Sequence, residues 1–433
     1  MPTAPATRFA RSDLRTLGLA SLGGALEYYD FIIFVFFTQV IGQLFFPPDT
    51  PDWLRQLQAF GLFAAGYLAR PLGGILMAHF GDRSGRKRMF LLSVLLMALP
   101  TLAIGLMPTY ASIGHAAPIA LLLLRILQGA AVGGEVPGAW VFVAEHAPPH
   151  RTGFACGVLT AGLTLGILLG SLVAGAVTTA WGPTAVLEWA WRVPFLLGGV
   201  FGLGAVWLRR YLDETPVFEE LRRRRELVAG LPLARVLRGH GNAVVMSMLL
   251  TVLLTAGIVV VILMTPTFAQ KPFGIPAAIA LRAGSYATAA LTIGCVVFGL
   301  AADRFGPARV LLVGALVLPL AAALLYRVMA VAPEHYAAAY TLAGFCVGVV
   351  GVVPTAMVRA FPAAIRFSGI SFAYNIAYAL AGGLTPLLVS WWMRFDAWAP
   401  VYHVGLACLA GILAVSGLLR RGRPAGPATN VHA

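Results

Sequence analysis

The chain has 433 residues, of which 59% are hydrophobic and 11% charged, and its mean hydropathy is +0.84. Soluble domains carry about 25% charged residues, so the composition excludes an ordinary soluble protein and points to one embedded in a membrane. A net charge of +14 would suit a nucleic-acid partner in a soluble chain, but here the basic residues sit in short loops between apolar runs, so no nucleic-acid partner is expected.

The basic start, MPTAPATRFARSDLR, precedes an apolar run too long for a signal-peptide core and without a clear cleavage site, so that run is expected to stay as the first span. Crossing a bilayer takes about 20 mostly apolar helical residues. Hydropathy and turn signals give twelve such runs, near 14–43, 54–80, 89–107, 117–144, 153–181, 189–209, 241–270, 279–302, 309–330, 335–361, 367–393 and 399–419. The first contains LGGALEYYDF, with Glu27 and Asp30 three apart on one helix face and roughly 20 to 24 Å into a core about 30 Å thick. Ionisable groups at that depth persist when they are paired or functional. Run two carries Arg70, also near mid-membrane, beside Pro71, which loosens the helix. Run four carries Arg125 at a level that Asp30 can share, with Gln128 and Glu135 further along.

Loops repeat where spans do not. GDRSGRKR follows run two and ADRFGPAR follows run eight, while APPHRTGF precedes run five and FPAAIRFSG precedes run eleven. Matching loops at matching places imply an internal duplication, with a site between the halves near the bilayer midplane. The expected divisions are a cytoplasmic N-terminus at 1–13, a six-helix bundle at 14–209, a linker at 210–240, a second six-helix bundle at 241–419 and a tail at 420–433. With both termini inside, cytoplasmic segments hold roughly 22 of the 31 Lys and Arg, as the positive-inside rule requires. The RRRR run in the linker either anchors topology or meets anionic lipid. The four cysteines show no paired or metal-ligand spacing, and neither a phosphate-binding GxxxxGK[ST] loop nor an HExxH pair is present.

Together GGALEYYDF, ARPLGG, RILQGAAVGGEVPGAWVFVAEHAPPHRTGF, LDETPVF, FPAAIRFSGISFAYNIAYALAGGLTP and the two DR loops resemble the major facilitator superfamily, and within it the metabolite:proton symporters that include proline/betaine and dicarboxylate importers. The resemblance implies an all-α integral membrane fold of twelve helices in two six-helix pseudo-repeats, in the inner membrane of a bacterium. It also implies proton-coupled symport of a small organic acid or zwitterion; the alternatives are a proton-antiport exporter of a siderophore-like or toxic compound and, remotely, a membrane-embedded enzyme. No cofactor and no metal are expected, and the partners are substrate, protons and membrane lipid, with the protein a monomer. Two residues and one stretch depart from the family pattern: Ala78 stands where a Gly is usual, Pro307 where an Arg is usual, and GIVVVILMTPTFA of run seven is more apolar than in many relatives.

Glu27, Asp30, Arg125 and Glu135 are the candidates for proton coupling. A nearby guanidinium favours the charged carboxylate and desolvation the protonated one, so a cleft that opens and closes can load and unload a proton; a static Asp30–Arg125 pair that fixes packing is the alternative. Arg70 can hold a substrate carboxylate through two parallel hydrogen bonds or pair with Glu135. Tyr29, Gln128, Tyr374, Asn375 and Tyr378 complete the substrate-contact candidates, with simple packing as the other reading of the aromatics. Asp82, Arg83, Gly85, Arg86, Glu145, Arg151, Asp303, Arg304 and Arg366 are expected to form a cytoplasmic gate, with Asp82 accepting from a neighbouring helix N-terminus, Arg83 and Arg86 reaching Glu145, and Asp303, Arg304 and Arg366 as the second-half counterparts, or else to mark topology alone.

Overall fold

In hydrocarbon every backbone N–H and C=O must be satisfied within the segment itself, which leaves a chain of this pattern the α-helix. The computed structural model describes residues 11–224, 232–270 and 272–421, with no strand among them. Its long helices are α1 Arg11–Phe36, α2 Asp52–Ser84, α3 Arg86–Leu106, α4 Ala116–His146, α5 Thr152–Ala185 and α6 Arg192–Arg209, then α7 Gly241–Gln270, α8 Ala277–Phe305, α9 Pro307–Val331, α10 Pro333–Ala360, α11 Arg366–Trp392 and α12 Ala399–Arg421. Among the described residues ten helices are long and apolar enough to cross a membrane, and Arg192–Leu208 is a shorter apolar one. The twelfth, α2, has 33 residues, or about 50 Å at 1.5 Å per residue.

Each apolar run becomes one of these helices, with local breaks. The first run stops at Phe37 and resumes as Thr38–Phe45. There the Thr38 hydroxyl donates to the carbonyls of Phe34 and Val35 at 3.1 and 2.9 Å, a bond that bends helices. Gly182, at φ 71°, breaks α5 just before Pro183. In α7 the turns widen to π-helix over Ala256–Met264, and Tyr340 donates 2.8 Å to the carbonyl of Ile262, satisfying an acceptor in that widened turn. The linker carries two short helices, Pro216–Arg223 and Pro232–Gly239.

Glycine sets the packing. Gly129 and Gly133 of α4 lie directly on the carbonyls of Gly66 and Arg70 of α2, and Gly344 and Gly348 of α10 lie likewise on Ala287 and Gly294 of α8. Small residues let helix backbones approach where lipid gives no hydrophobic drive. The same pairing in both halves makes the duplication physical, and the equivalent turns after α2 and α8 both use a left-handed glycine, Gly85 at φ 114° and Gly306 at φ 86°. Between halves α2 packs on α11 and α5 on α8. Leu68, Leu72, Leu76 and Phe80 face outward from α2, which turns Arg70 inward.

Candidate functional site between the two halves

Arg70 is 1% exposed. Its guanidinium carbon lies 4.3 Å from the ring centre of Tyr378, 5.3 Å from Tyr374 and 5.5 Å from Tyr67, and among the described residues none of its nitrogens is hydrogen-bonded. It therefore makes no hydrogen bond to Glu135, which is itself buried. Tyr67 stacks on Tyr378 at 5.7 Å, and Tyr374 meets Trp140 edge-on at 4.9 Å. Aromatic faces attract a cation. Between the halves, against Tyr28, Trp140, Thr160, Leu254, Tyr374 and Tyr378, is a space of about 30 Å³, room for about one water. A metabolite enters only when the halves part.

Asp30, also 1% exposed, presses its carboxylate on Gly198 and Gly202 of α6, and among the described residues neither oxygen is hydrogen-bonded. A static hydrogen-bonded pair with Arg125 is therefore not formed. Arg125 instead lies 4.1 Å from the ring centre of Phe34 and donates 2.9 Å to Gln128, whose amide donates 2.7 Å to the Thr101 hydroxyl of α3. The Glu27 side chain lies outside the described residues. Tyr29 donates 2.9 Å to the carbonyl of Pro194, which pins α1 to α6. Asn375 donates 2.6 Å to the carbonyl of Gly133 and 2.8 Å to that of Ser371, tying α11 to α4. Of the substrate candidates, then, Arg70, Tyr374 and Tyr378 converge, while Tyr29, Gln128 and Asn375 join neighbouring helices. Among the described residues no group of three or more His, Cys, Asp or Glu is placed to hold a metal.

At one end of the bundle the loops lock the halves together. Asp82 accepts 2.9 Å from the backbone N–H of Ser368 at the start of α11, and Asp303 accepts 2.7 and 2.9 Å from Gly153 and Phe154 at the start of α5. Carboxylates at helix N-termini are favoured by the orphan N–H groups there. Buried Glu145 takes Arg86 at 2.9 Å, Arg366 at 3.0 Å and the Thr215 hydroxyl at 2.7 Å. Arg86 also donates 2.8 Å to the carbonyl of Ala363. Arg83 does not reach Glu145, because it projects outward and lies 3.4 Å from His79. Arg151 and Arg304 are exposed, the latter over the ring of Phe305. Sequence reading missed Thr215 and Glu214; Glu214 accepts from the N–H groups of Arg86 and Lys87 at 3.1 and 3.2 Å, in the place a Cβ on Gly85 would need. LDETPVF held the signal, since a Thr-Pro step opens a helix, and the helix N-terminus expected as donor to Asp82 is that of α11, through Ser368.

The profile described as Major Facilitator Superfamily matches residues 20–386. The chain belongs to the major facilitator superfamily. It is 33% identical over 424 residues to the shikimate transporter of Escherichia coli (95% of each chain), 30% over 417 to the proline/betaine transporter of Salmonella typhimurium (92% of this chain, 82% of that one), and 30% over 439 to the citrate-proton symporter of Klebsiella pneumoniae (97% and 98%). The fold matches the proton:xylose symporter XylE bound to 6-bromo-6-deoxy-D-glucose with a TM-score of 0.78 at 18% identity, covering 94% of this chain and 95% of that one. This facilitator is thus a multi-pass membrane transporter and not an enzyme, and its locked end marks one state of its two bundles.

Proposed function

We propose that the protein imports a small organic acid or zwitterion together with protons, by alternating access of a site between the bundles 14–209 and 241–419. The observation that carries this reading is Arg70, a buried guanidinium boxed by tyrosines of both halves with no hydrogen bond to any described residue. A carboxylate satisfies two of its N–H groups at once, and shikimate, proline, betaine and citrate, named in the relatives, all bear one. Asp30 carries the coupling proton, since it can gain or lose one without breaking any described bond, and Arg125 governs its release. The locked end faces the cytoplasm, with the linker 210–240 and both termini on that side of a bacterial inner membrane, because most of the basic residues fall there. In this state the inward route is shut.

The test is uptake by purified protein in sealed vesicles under an imposed pH gradient, screened over carboxylates and zwitterions. An inwardly directed proton gradient should drive accumulation, and Arg70→Gln should weaken binding at least roughly 30-fold, since truncating one partner of a buried charge pair costs about 2 to 5 kcal/mol. Solute leaving against the proton flow, or intact carboxylate binding by Arg70→Gln, overturns the proposal.

A further inference from the structure

Small residues hold α3 and α6 together over most of their length: Gly105 lies on Leu196, Gly199 on Leu102 and Gly202 on Ala98. Toward the locked end the facing residues become large, and the helices frame a groove of about 420 Å³ walled by Leu91, Leu92, Leu95, Leu203, Val206 and Trp207. Arg210 closes one end of it. The Lys87 ammonium donates 3.3 Å to the carbonyl of Arg210, and the Arg210 guanidinium donates 2.8 Å to the Tyr211 hydroxyl and lies 5.1 Å from the Trp207 ring centre. Exposed Arg88 follows Lys87. Of the nearby acids, Asp213 is exposed, and Glu214 is turned onto the backbone N–H groups of Arg86, Lys87 and Thr215.

We infer that this groove binds one anionic phospholipid, an acyl chain along the leucines and the phosphate on Arg210 and Lys87. An apolar trough ending in two cations matches a molecule with an apolar tail and an anionic head, and Trp207 and Tyr211 stand where headgroups lie. The larger groove between α8 and α10, about 610 Å³, has no charged residue in its lining and offers a headgroup nothing. The linker arginines Arg223 and Arg224 are less suited, because both pair with Glu220, and the hydrogen bond from Arg224 and charge of Arg223 hold its carboxyl below the usual range.

The inference is tested by native mass spectrometry of the full chain extracted from nanodiscs of mixed phosphatidylglycerol and phosphatidylcholine. Wild type should retain one phosphatidylglycerol in preference. Arg210→Gln with Lys87→Gln should reduce that preference roughly 30-fold, the equivalent of about 1 kcal/mol per cation at about 1.4 kcal/mol per decade. Val206→Trp, which fills the groove and leaves both cations, should remove the bound lipid, and Arg222→Gln with Arg223→Gln should not. Equal retention of the two lipids by wild type overturns the site, as does an unchanged preference in the Arg210 and Lys87 variant, or loss of preference only when the linker arginines are changed.

Discussion

Asp30 and Arg70 are both buried and both without hydrogen bonds to described residues, yet their surroundings differ in kind. Tyrosine faces offset part of the cost of burying the Arg70 charge, by about 0.5 to 2 kcal/mol per contact, so Arg70 can keep its charge while it waits for an anion. Asp30 lies against glycines of α6 that offer no such compensation. Asparagine has nearly the same shape as the protonated acid, and Asp30→Asn therefore fixes the neutral form without disturbing the niche. Counterflow exchange of substrate with no gradient should continue within about twofold of wild type, while accumulation driven by a pH gradient should vanish. Full gradient-driven accumulation in this variant would move the proton to another carboxylate. Counting residues from the span ends gives the depth of Arg70, and a spacing of four puts Tyr374 and Tyr378 on one helix face. Neither reading shows which neighbour a helix face meets, and so neither could show that Tyr29, Gln128 and Asn375 turn toward Pro194, Thr101 and Gly133.

The close approach of α4 was legible in VGGEVPG, because close approach is a property of side-chain size. The breaks were not: the π turn of α7 is matched by a tyrosine 78 positions away, a contact that hydropathy does not encode. The cross-half contact of α5 with α8 is the element-scale point most open to trial. A Cβ on Gly299 would stand 2.6 Å from the carbonyl of Gly153, whereas a Cβ on Gly175 of α5 meets nothing within 4 Å. Overpacking costs about 1 to 3 kcal/mol. Gly299→Leu should accordingly lower the thermal unfolding midpoint of the purified protein by several degrees, and Gly175→Leu should leave it unchanged. Equal midpoints in all three proteins would mean that the halves do not close as tightly as this contact requires. Ala78 holds the place of Gly299 in the first half, where the latch leans on charge.

At the scale of the whole molecule the two latches obey one geometry with unequal chemistry. The first joins buried Asp82, Arg86 and Glu145 to half-buried Arg366; the second gives Asp303 two backbone N–H groups, and Pro307, where an Arg is usual, begins α9. Each latch ties one bundle to the other, so a rigid-body parting of the bundles must break both. Hydrogen bonds to a charged group contribute about 1.5 to 3 kcal/mol, and alternating access needs states only a few kcal/mol apart. Either Asp82→Asn or Asp303→Asn should then move the ratio of open to closed at this end by roughly 10- to 100-fold. Because both bonds oppose the same motion, the two shifts should multiply in the double variant. Distance distributions between spin labels placed across this end on the two bundles would measure all three ratios. Multiplicative shifts identify a single two-state rocking of rigid halves, whereas a double variant no more open than either single one would show that opening one latch already releases the other. Unmoved distances in every variant would reduce both loops to markers of topology.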